Sequence, residues 1–307
     1  MAAGKDKTVA IVSLLTGAVV WGLAWYPYRV FEAVGLPGLQ ATLLTYLVAL
    51  LLGAATLHQH VTAMLKEGTF TWRLVVIGLA AGGCNLGYVL ATLQGEVMRV
   101  LLLFYLAPLW TVFWSYFLLG ERLNRSGLAV VALSVAGAAT MLWHPELGAP
   151  WPTTGAEWLG LAAGFLFAFS NVMVRQVTQL PVQVKSLAVY LGVVLLGLLV
   201  LPFMATEPLQ GVSAMQPWHW LMLLLVGVTL MVVNLVVQHG LSQTSANQAI
   251  VIFLFELVVA ALSSWLLAQE VMGLREWLGG AMIVAASLFS GQLEEATPLT
   301  ASNLEGQ

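Results

Sequence analysis

Residues 104–109 read Phe-Tyr-Leu-Ala-Pro-Leu, and residues 117–121 continue the stretch with Phe-Leu-Leu-Gly-Glu. A similar stretch occurs 149 residues later, where residues 253–258 read Phe-Leu-Phe-Glu-Leu-Val and residues 265–270 read Trp-Leu-Leu-Ala-Gln-Glu. In both places the final glutamate precedes a glycine-containing apolar segment of matching length. The two stretches therefore predict an internal repeat.

A second pair of segments supports this repeat. Residues 21–29 begin with Trp and end with Arg, and residues 167–175, at an offset of 146, begin with Phe and end with Arg. We place the first repeat at 8–143 and the second at 156–291, and we predict that the polar residues 292–307 form a disordered tail. Similar composition of two hydrophobic halves is the alternative explanation of the match.

The composition is typical of a membrane protein. Of the 307 residues, 60% are hydrophobic and 8% are charged, whereas a soluble domain carries roughly 25% charged residues. Too few charges remain to solvate a globular surface, so a water-soluble enzyme is excluded. A spanning helix needs about 20 apolar residues. The apolar runs predict an all-α polytopic membrane protein with ten transmembrane helices, at approximately 8–30, 37–58, 72–92, 95–119, 125–143, 156–178, 182–206, 217–240, 246–268 and 273–291.

The basic residues predict the orientation, because cytoplasmic loops carry the excess of Lys and Arg. With a cytoplasmic N-terminus, three basic residues lie outside and eight lie inside. The outside set is Arg29, Arg99 and Arg275, and the inside set is Lys5, Lys7, Lys66, Arg73, Arg122, Arg125, Arg175 and Lys185. We therefore expect a multi-pass protein of a bacterial-type inner (cell) membrane with both termini in the cytoplasm.

Five spans per repeat is an odd number, so the second repeat enters the membrane from the opposite side. The repeats are therefore predicted to be inverted. Two inverted halves can exchange an inward-facing and an outward-facing arrangement around a site near the midplane. This favours a transporter that works by alternating access.

Several other classes of partner and chemistry find no support in the sequence. No basic block is present for nucleic acid, and no G-x-x-x-x-G-K-[ST] motif is present for ATP. Cys84 is the single cysteine, so neither a disulfide nor a cysteine-rich metal site is expected. We predict no cofactor and no metal. The expected partners are the lipid bilayer and a small-molecule substrate, with the chain acting as a monomer or weak homodimer.

These residues resemble a known family. The segments Trp21–Arg29, Leu106–Glu121 and Phe255–Glu270, in this order and spacing, look like the EamA-type 5+5 members of the drug/metabolite transporter superfamily. The resemblance covers about residues 8–291. It implies an inner-membrane carrier, commonly an exporter of amino acids, metabolites or toxic small molecules, with a central cavity between two five-helix halves. The family commonly has Glu-Pro in the ninth span, but here Leu257 follows the glutamate. A proline hinge matching Pro108 is therefore not expected in the second half.

Glu256 is the most informative single residue, because it lies near the centre of the ninth predicted span. A carboxylate at that depth is costly unless it faces water or a partner, so intramembrane acids are functional candidates. Two functional interpretations are open, a counter-charge for an ammonium-bearing substrate and a proton carrier. A structural glutamate hydrogen-bonded between helices is the third.

Other candidates are deep aromatic and amide side chains. Aromatic rings can stack a ligand or attract its cation, and an unpaired amide in hydrocarbon must face protein or water. Core packing and hydrogen bonds between helices are the alternatives. The predicted substrate-binding residues, besides Glu256, are Trp21, Asn85, Tyr88, Tyr105, Trp110, Asn171, Asn234 and Gln238. Pro108 is the predicted hinge, since it removes a backbone hydrogen bond within a helix.

Charged residues near span ends are predicted to act as anchors. Glu96 and Arg99 are three residues apart and can pair on one helix face, as an anchor or as a gate. Arg29 and Arg175 are expected to reach the membrane interface. Glu121 is expected to form an ion pair with Arg122 in its turn.

Together these features predict a secondary transporter that exports small organic metabolites, either amino acids or other amine-bearing compounds. Whether transport is coupled to protons is left open by the sequence. Two other classes stay open. A membrane-embedded enzyme would show a polar cluster at matched depth, and the closest approach, His58 with His60, lies at the end of the second span. A channel would show a polar-lined pore rather than one isolated acid.

Overall fold

The computed structural model describes residues 2–143, 146, 151–204, 215–268 and 272–294. Over these ranges the regular structure is helical. The helices are α1 Ala2–Ala33, α2 Gly38–Lys66, α3 Trp72–Gln94, α4 Val97–Phe104, α5 Ala107–Leu119, α6 Arg125–Leu142, α7 Gly155–Gln176, α8 Val182–Met204, α9 Pro217–Gln243, α10 Ala246–Phe253, α11 Phe255–Leu267 and α12 Leu274–Leu288. The predicted all-α fold is confirmed.

The helices correspond to ten passes. Helices α4 and α5 share the fourth pass, and α10 and α11 share the ninth. Within the described ranges nine passes are long and apolar enough to span a bilayer. The tenth, α12, has 15 residues and continues as a 3-10 helix at Phe289–Glu294. The predicted tail therefore begins with helical backbone, and 295–307 lie outside the described residues.

Side-chain caps mark where several helices begin. Thr71, Asn124, Thr154 and Ser245 each accept a hydrogen bond from a backbone N–H in the first turn of the following helix. These bonds satisfy N–H groups that have no partner within the helix. At the end of α5, Gly120 adopts a left-handed φ of 70°, which glycine tolerates best.

The two five-pass repeats are interleaved rather than side by side. Helix α3 of the first repeat packs mainly on α7 and α8 of the second, and α9 of the second packs mainly on α1 and α2 of the first. Each broken pass also lies against the first helix of the other repeat, α4 and α5 against α7, and α10 and α11 against α1. The interior is consequently lined by both repeats.

Glycines allow the closest of these contacts. Gly78 of α3 lies against the backbone of α8 at Ala188 and Gly192. Gly160 and Gly164 of α7 lie in the same way against the backbone of α4. A Cβ atom at Gly78 or Gly164 would overlap backbone atoms of the neighbour, and one at Gly160 would make a tight contact with Val100. The absence of a side chain at these positions lets the helix backbones approach closely at both crossings.

The fourth and ninth passes are both broken near their centres. The first break lies at Tyr105 and Leu106, where the N–H of Leu106 donates to the carbonyl of Leu103 at 3.3 Å. The second lies at Leu254, whose carbonyl accepts from the N–H of Leu257 at 3.0 Å. Bonds of this three-residue spacing are those of a 3-10 turn. The second pass is thus interrupted although Leu257 stands where the first half has Pro108.

We call one end of the bundle the basic end. It is the end at which α1 begins, α9 ends and α10 begins. Gly240 of α9 packs there against the carbonyl of Ala10 in α1. The eight residues of α10 are all buried, so this end is closely packed. Its basic residues include Lys66, Arg73, Arg175 and Lys185.

Candidate functional site

Glu256 lies in the first turn of α11, directly after the second break. Its side chain is half-buried and accepts a short hydrogen bond from the hydroxyl of Tyr105, which lies at the first break. The two residues are 151 positions apart in sequence. The broken passes of the two repeats therefore meet at a carboxyl group near the middle of the membrane.

Two further helices lie beside this pair. Cys84 and Tyr88 of α3 lie close enough to Glu256 to interact with it electrostatically. Gly22 of α1 packs so closely that an added Cβ would lie 2.7 Å from the carbonyl oxygen of Glu256. Carboxyl, phenol and thiol groups are thus gathered at one depth, and α1, α3, α4 and α11 hold them in place.

Six aromatic rings form a continuous wall beside Glu256. The ring of Trp21 lies 5.3 Å from Phe253 and 6.4 Å from Phe167, measured between centroids. Phe104 continues the wall, at 5.6 Å from Phe167 and 5.1 Å from both Tyr88 and Tyr105. We call this set the aromatic wall: Trp21, Tyr88, Phe104, Tyr105, Phe167 and Phe253. Ring faces next to a carboxyl group suit an organic cation.

Three members of the aromatic wall were missed at the sequence level, although the repeat carried a signal for them. Phe104 and Phe253 are the first residues of the matched stretches at offset 149. Phe167 matches Trp21 at offset 146. Repeat-related aromatic positions therefore converge from both halves, which apolar character alone does not reveal.

Trp110 lies elsewhere. Its ring is 5.3 Å from Phe165 of α7, and Trp114 one turn further on lies 4.7 Å from Phe169. The indole nitrogens of Trp110 and Trp114 are buried and have no hydrogen-bond partner among the described residues. These rings form a second aromatic cluster between α5 and α7, and the structure does not bring Trp110 into the aromatic wall.

The symmetry-related amides Asn85 and Asn234 have different surroundings. Asn85 accepts a 3.0 Å hydrogen bond from the hydroxyl of Tyr46 and donates one of 2.8 Å to the carbonyl of Ala81. Hydrogen bonding between helices therefore accounts for Asn85. In the described part of the chain, the buried side-chain oxygen of Asn234 has no partner.

Asn171 and Gln238 also have polar atoms without partners. The amide nitrogen of Asn171 and the side-chain oxygen of Gln238 are buried and bond to none of the described groups. Asn171 lies four residues beyond Phe167 of the aromatic wall, on the same face of α7 and nearer the basic end. Most buried polar atoms in proteins bond to another protein group or to ordered water. Asn171, Asn234 and Gln238 thus each carry a buried polar atom that bonds to none of the described groups, and their role in substrate binding stays a prediction.

Two charged groups have partners other than the predicted ones. Arg99 pairs with Glu157 of α7, at 2.9 Å from Nε to Oε1 and 3.1 Å from Nη2 to Oε2, and not with Glu96 of its own helix. The backbone N–H of Thr153 also donates to Glu157 at 2.7 Å. The predicted Glu96–Arg99 pair is corrected because Glu157, 58 residues away, provides two parallel acceptors in a buried place.

Glu121 binds the start of α10. Its carboxylate accepts from the N–H of Ala246 at 3.1 Å and from the side-chain nitrogen of Asn247 at 2.9 Å. Burial raises the pKa of Glu121, and these hydrogen bonds and the nearby charge of Arg175 oppose the rise. The predicted ion pair with Arg122 is replaced by this contact, since Arg122 lies over the ring of Tyr116.

The described residues show no group of three His, Cys, Asp or Glu side chains arranged to hold a metal ion. The chemistry available near the midplane is therefore that of one carboxyl group, two phenols, a thiol and aromatic rings. This arrangement can bind and release a cation or a proton.

Comparison with known proteins identifies the family. A family model described as the EamA-like transporter family matches residues 8–143 and 154–292. A solved crystal structure is similar over 94% of this chain and 99% of its own, with a TM-score of 0.73 and 19% identity, which shows the fold alone. A search of curated proteins found no match. Because both repeats match the family model, this multi-pass membrane protein belongs to the EamA-like transporter family, within the drug/metabolite transporter superfamily.

Proposed function

We propose that this protein is a secondary transporter that exports small amine-bearing organic solutes across the cell membrane by alternating access, in exchange for protons. Membership of the EamA-like family suggests a membrane transporter of small molecules. The site supports the finer assignment. Both of its walls come from a single chain, so we propose that the transporting unit is a monomer or weak homodimer.

The observation that carries the proposal is the half-buried carboxyl group of Glu256 beside the aromatic wall. An ionised carboxylate attracts an ammonium group strongly where water is scarce. The rings of Trp21 and Phe253 present apolar and π surfaces next to it, suited to the organic part of the solute. A small amine is the class of solute that uses both features.

Exchange with protons follows from the same group. Glu256 holds an ammonium ion when it is ionised and releases it when it is protonated, so proton and solute compete for one site. The Tyr105 hydroxyl donates to the carboxyl group and orients it. In this scheme a proton that enters from outside displaces an amine, which leaves on that side.

Alternating access is supported by the broken passes. The breaks at Tyr105 and Leu254 lie at repeat-related positions, where each pass has the weak three-residue hydrogen bonds that permit bending. The basic end is tightly packed around α10. We assign this arrangement to the state that is closed at the basic end and opens on the other side.

Flux in proteoliposomes tests the proposal. Purified protein is reconstituted, a pH gradient is imposed, and transport of radiolabelled amino acids, polyamines and monoamines is measured. Glu256→Gln is expected to abolish proton-driven transport, because the amide neither ionises nor releases a proton. The matched control is Glu276→Gln, a first-turn glutamate of α12 away from the site, and it is expected to transport normally.

Two outcomes would contradict the proposal. Normal proton-driven flux in Glu256→Gln, with an unchanged melting temperature in detergent, would remove the coupling role. Absence of counterflow, that is, no stimulation by substrate on the opposite side, would indicate a channel rather than a carrier.

A further inference from the structure

Lys185 of α8 is fully buried, although the sequence places it near the end of a pass, where a lysine ordinarily reaches water. Its ammonium group donates a short hydrogen bond to the hydroxyl of Ser242 in α9. That hydroxyl in turn donates to the carbonyl of Gln238 at 2.7 Å. A serine hydroxyl carries no charge, so it does not neutralise the ammonium group.

A second cation meets the same serine. Arg175 of α7 donates to the backbone carbonyl of Ser242 at 2.5 Å. Lys185 and Arg175 lie close enough to repel each other. Three helices of the second repeat, α7, α8 and α9, therefore bring two positive groups to one residue at the basic end.

The described residues supply little negative charge to balance these groups. Glu121 lies near Arg175 and offsets part of its charge, while its carboxylate also accepts from the N–H of Ala246 and from Asn247, so one carboxylate faces two cations. The buried side-chain oxygen of Gln238 bonds to none of the described groups and, as a neutral acceptor, supplies no formal charge. The cluster therefore has an excess of positive charge. Because a buried charge without a counter-ion is costly, binding of an anion would stabilise it.

Capping of α9 explains only part of this arrangement. Carbonyl groups at a helix C-terminus attract cations, and Arg175 binds one of them. Lys185 instead binds the hydroxyl of Ser242, and full burial makes it a costly choice for capping. A binding role for positive charge inside the closed basic end would explain the positions of both Arg175 and Lys185.

We propose that Lys185 and Arg175 form an anion subsite that takes the carboxylate of the transported solute when the basic end opens. The inference rests on the proposed function and narrows its substrate class to zwitterionic amino acids, which carry both the ammonium group for Glu256 and a carboxylate. Ser242 holds Lys185 while the subsite is closed. Once the carboxylate has bound, it replaces this hydroxyl as the partner of the ammonium group.

The subsite and Glu256 act in succession. Glu256 lies ten residues beyond Ala246, where α10 begins at the basic end, which corresponds to about 15 Å along a helix. A small amino acid does not span from this level to the middle of the membrane. The subsite therefore captures the solute at the basic end, and Glu256 holds it afterwards.

The experiment compares amino acids with amines that differ from them by one carboxylate. Counterflow in proteoliposomes is measured for L-phenylalanine and phenethylamine, and for L-lysine and cadaverine. In Lys185→Met the KM of the amino acids at the basic end is expected to rise by about 30-fold, while the KM of the amines is unchanged. Lys185→Arg is expected to keep the wild-type preference, because the charge remains.

Two further variants keep the test decisive. The matched control is Lys66→Met, at the exposed end of α2, which is expected to leave all four KM values unchanged. If Lys185→Met does not fold, Ser242→Ala removes only the hydroxyl that holds the ammonium group. Ser242→Ala is expected to change the KM of the amino acids and to leave the KM of the amines unchanged.

The outcomes separate this inference from the proposed function. Equal changes for amino acids and amines in Lys185→Met, or a wild type that carries the amines and rejects the amino acids, would overturn the anion subsite and leave an amine carrier standing. A wild type that carries none of the four compounds would overturn both.

Discussion

The two broken passes have the same architecture and different chemistry. At the first break, between α4 and α5, Gly164 of α7 packs against the carbonyl of Phe104. At the second, between α10 and α11, Gly22 of α1 packs against the carbonyl of Glu256. Each break is thus held by a glycine from the opposite repeat. The first break contributes the phenol of Tyr105 to the site, and the second contributes the carboxyl group of Glu256.

This comparison shows that the bend does not depend on proline. Pro108 removes the N–H that would otherwise bond the carbonyl of Phe104. Leu257 occupies the corresponding position of the second break and keeps its N–H. That N–H donates to the carbonyl of Leu254, three residues earlier, and not to the carbonyl four residues earlier as in a regular α-helix. Packing against a helix of the opposite repeat is the feature that the two breaks share.

The largest expected effect concerns how the start of each broken pass is anchored. At the start of the fourth pass, Arg99 pairs with Glu157. At the start of the ninth pass, the N–H of Ala246 donates to Glu121. Glu157→Gln removes the negative charge that accepts two hydrogen bonds from the half-buried Arg99 guanidinium, and it is expected to lower the free energy of unfolding by about 3 kcal/mol. Glu121→Gln, which keeps one acceptor, is expected to cost about 1 kcal/mol.

Thermal unfolding in detergent, followed by circular dichroism, measures both effects. Glu96→Gln is the control, because Glu96 does not pair with Arg99. A loss of stability in Glu96→Gln as large as that in Glu157→Gln would contradict the assignment of the ion pair.

The next effect concerns the glycines at the breaks. A Cβ atom at Gly164 or Gly22 would overlap backbone atoms of the neighbouring helix. Overpacking of this kind costs about 1–3 kcal/mol, so Gly164→Ala and Gly22→Ala are both expected to lower the melting temperature. Gly280→Ala is the matched control, since its nearest neighbour, a methyl group of Val258, would lie 3.9 Å away. If only one variant were destabilised, the breaks would not be equivalent.

The chemical difference between the breaks is tested by removing the phenol hydroxyl. Tyr105→Phe leaves the ring in the aromatic wall and deprives Glu256 of a hydrogen bond. A hydrogen bond to a charged group is worth enough for the KM of a substrate amine to change by about tenfold. Tyr88→Phe serves as the control, because its ring contacts Phe104 in the same wall. Equal changes in the two variants would show that the hydroxyl of Tyr105 has no particular role.

The smallest effect is expected at the proline. If opposing-helix packing maintains the break, Pro108→Leu is expected to change the melting temperature little and to preserve transport. Leu257→Pro is expected to cost about 1 kcal/mol, the value of the single hydrogen bond lost. Loss of transport in a folded Pro108→Leu protein would restore the predicted hinge role and make the two breaks different in mechanism.

The site was predicted from the sequence only in part. Glu256, Trp21, Tyr88 and Tyr105 were named as candidates, and the structure gathers them around one carboxyl group. Depth along a pass selected residues that the structure brings close together. Trp110 was named by the same criterion, and it lies in another cluster because depth does not specify which face of a helix turns inward.

Partners between helices were beyond prediction. Arg99 has an acid three residues away, yet it binds Glu157 across 58 residues. Lys185 was counted among the basic residues of the cytoplasmic side, and the structure buries it against Ser242. In both cases the local pattern identified a charged residue near a helix end and gave no information about which helix lies beside it.

The sequence by itself determined the membrane class, the all-helical fold, the repeat and the acid near the middle of the ninth pass. These follow from local properties, because the length and hydrophobicity of each segment govern its transfer into the bilayer. Only the tertiary structure decided that Tyr105 meets Glu256, that each break is held by a glycine of the other repeat, and that two cations share Ser242. Those contacts depend on how interleaved helices pack, and packing is settled between residues that are distant along the chain.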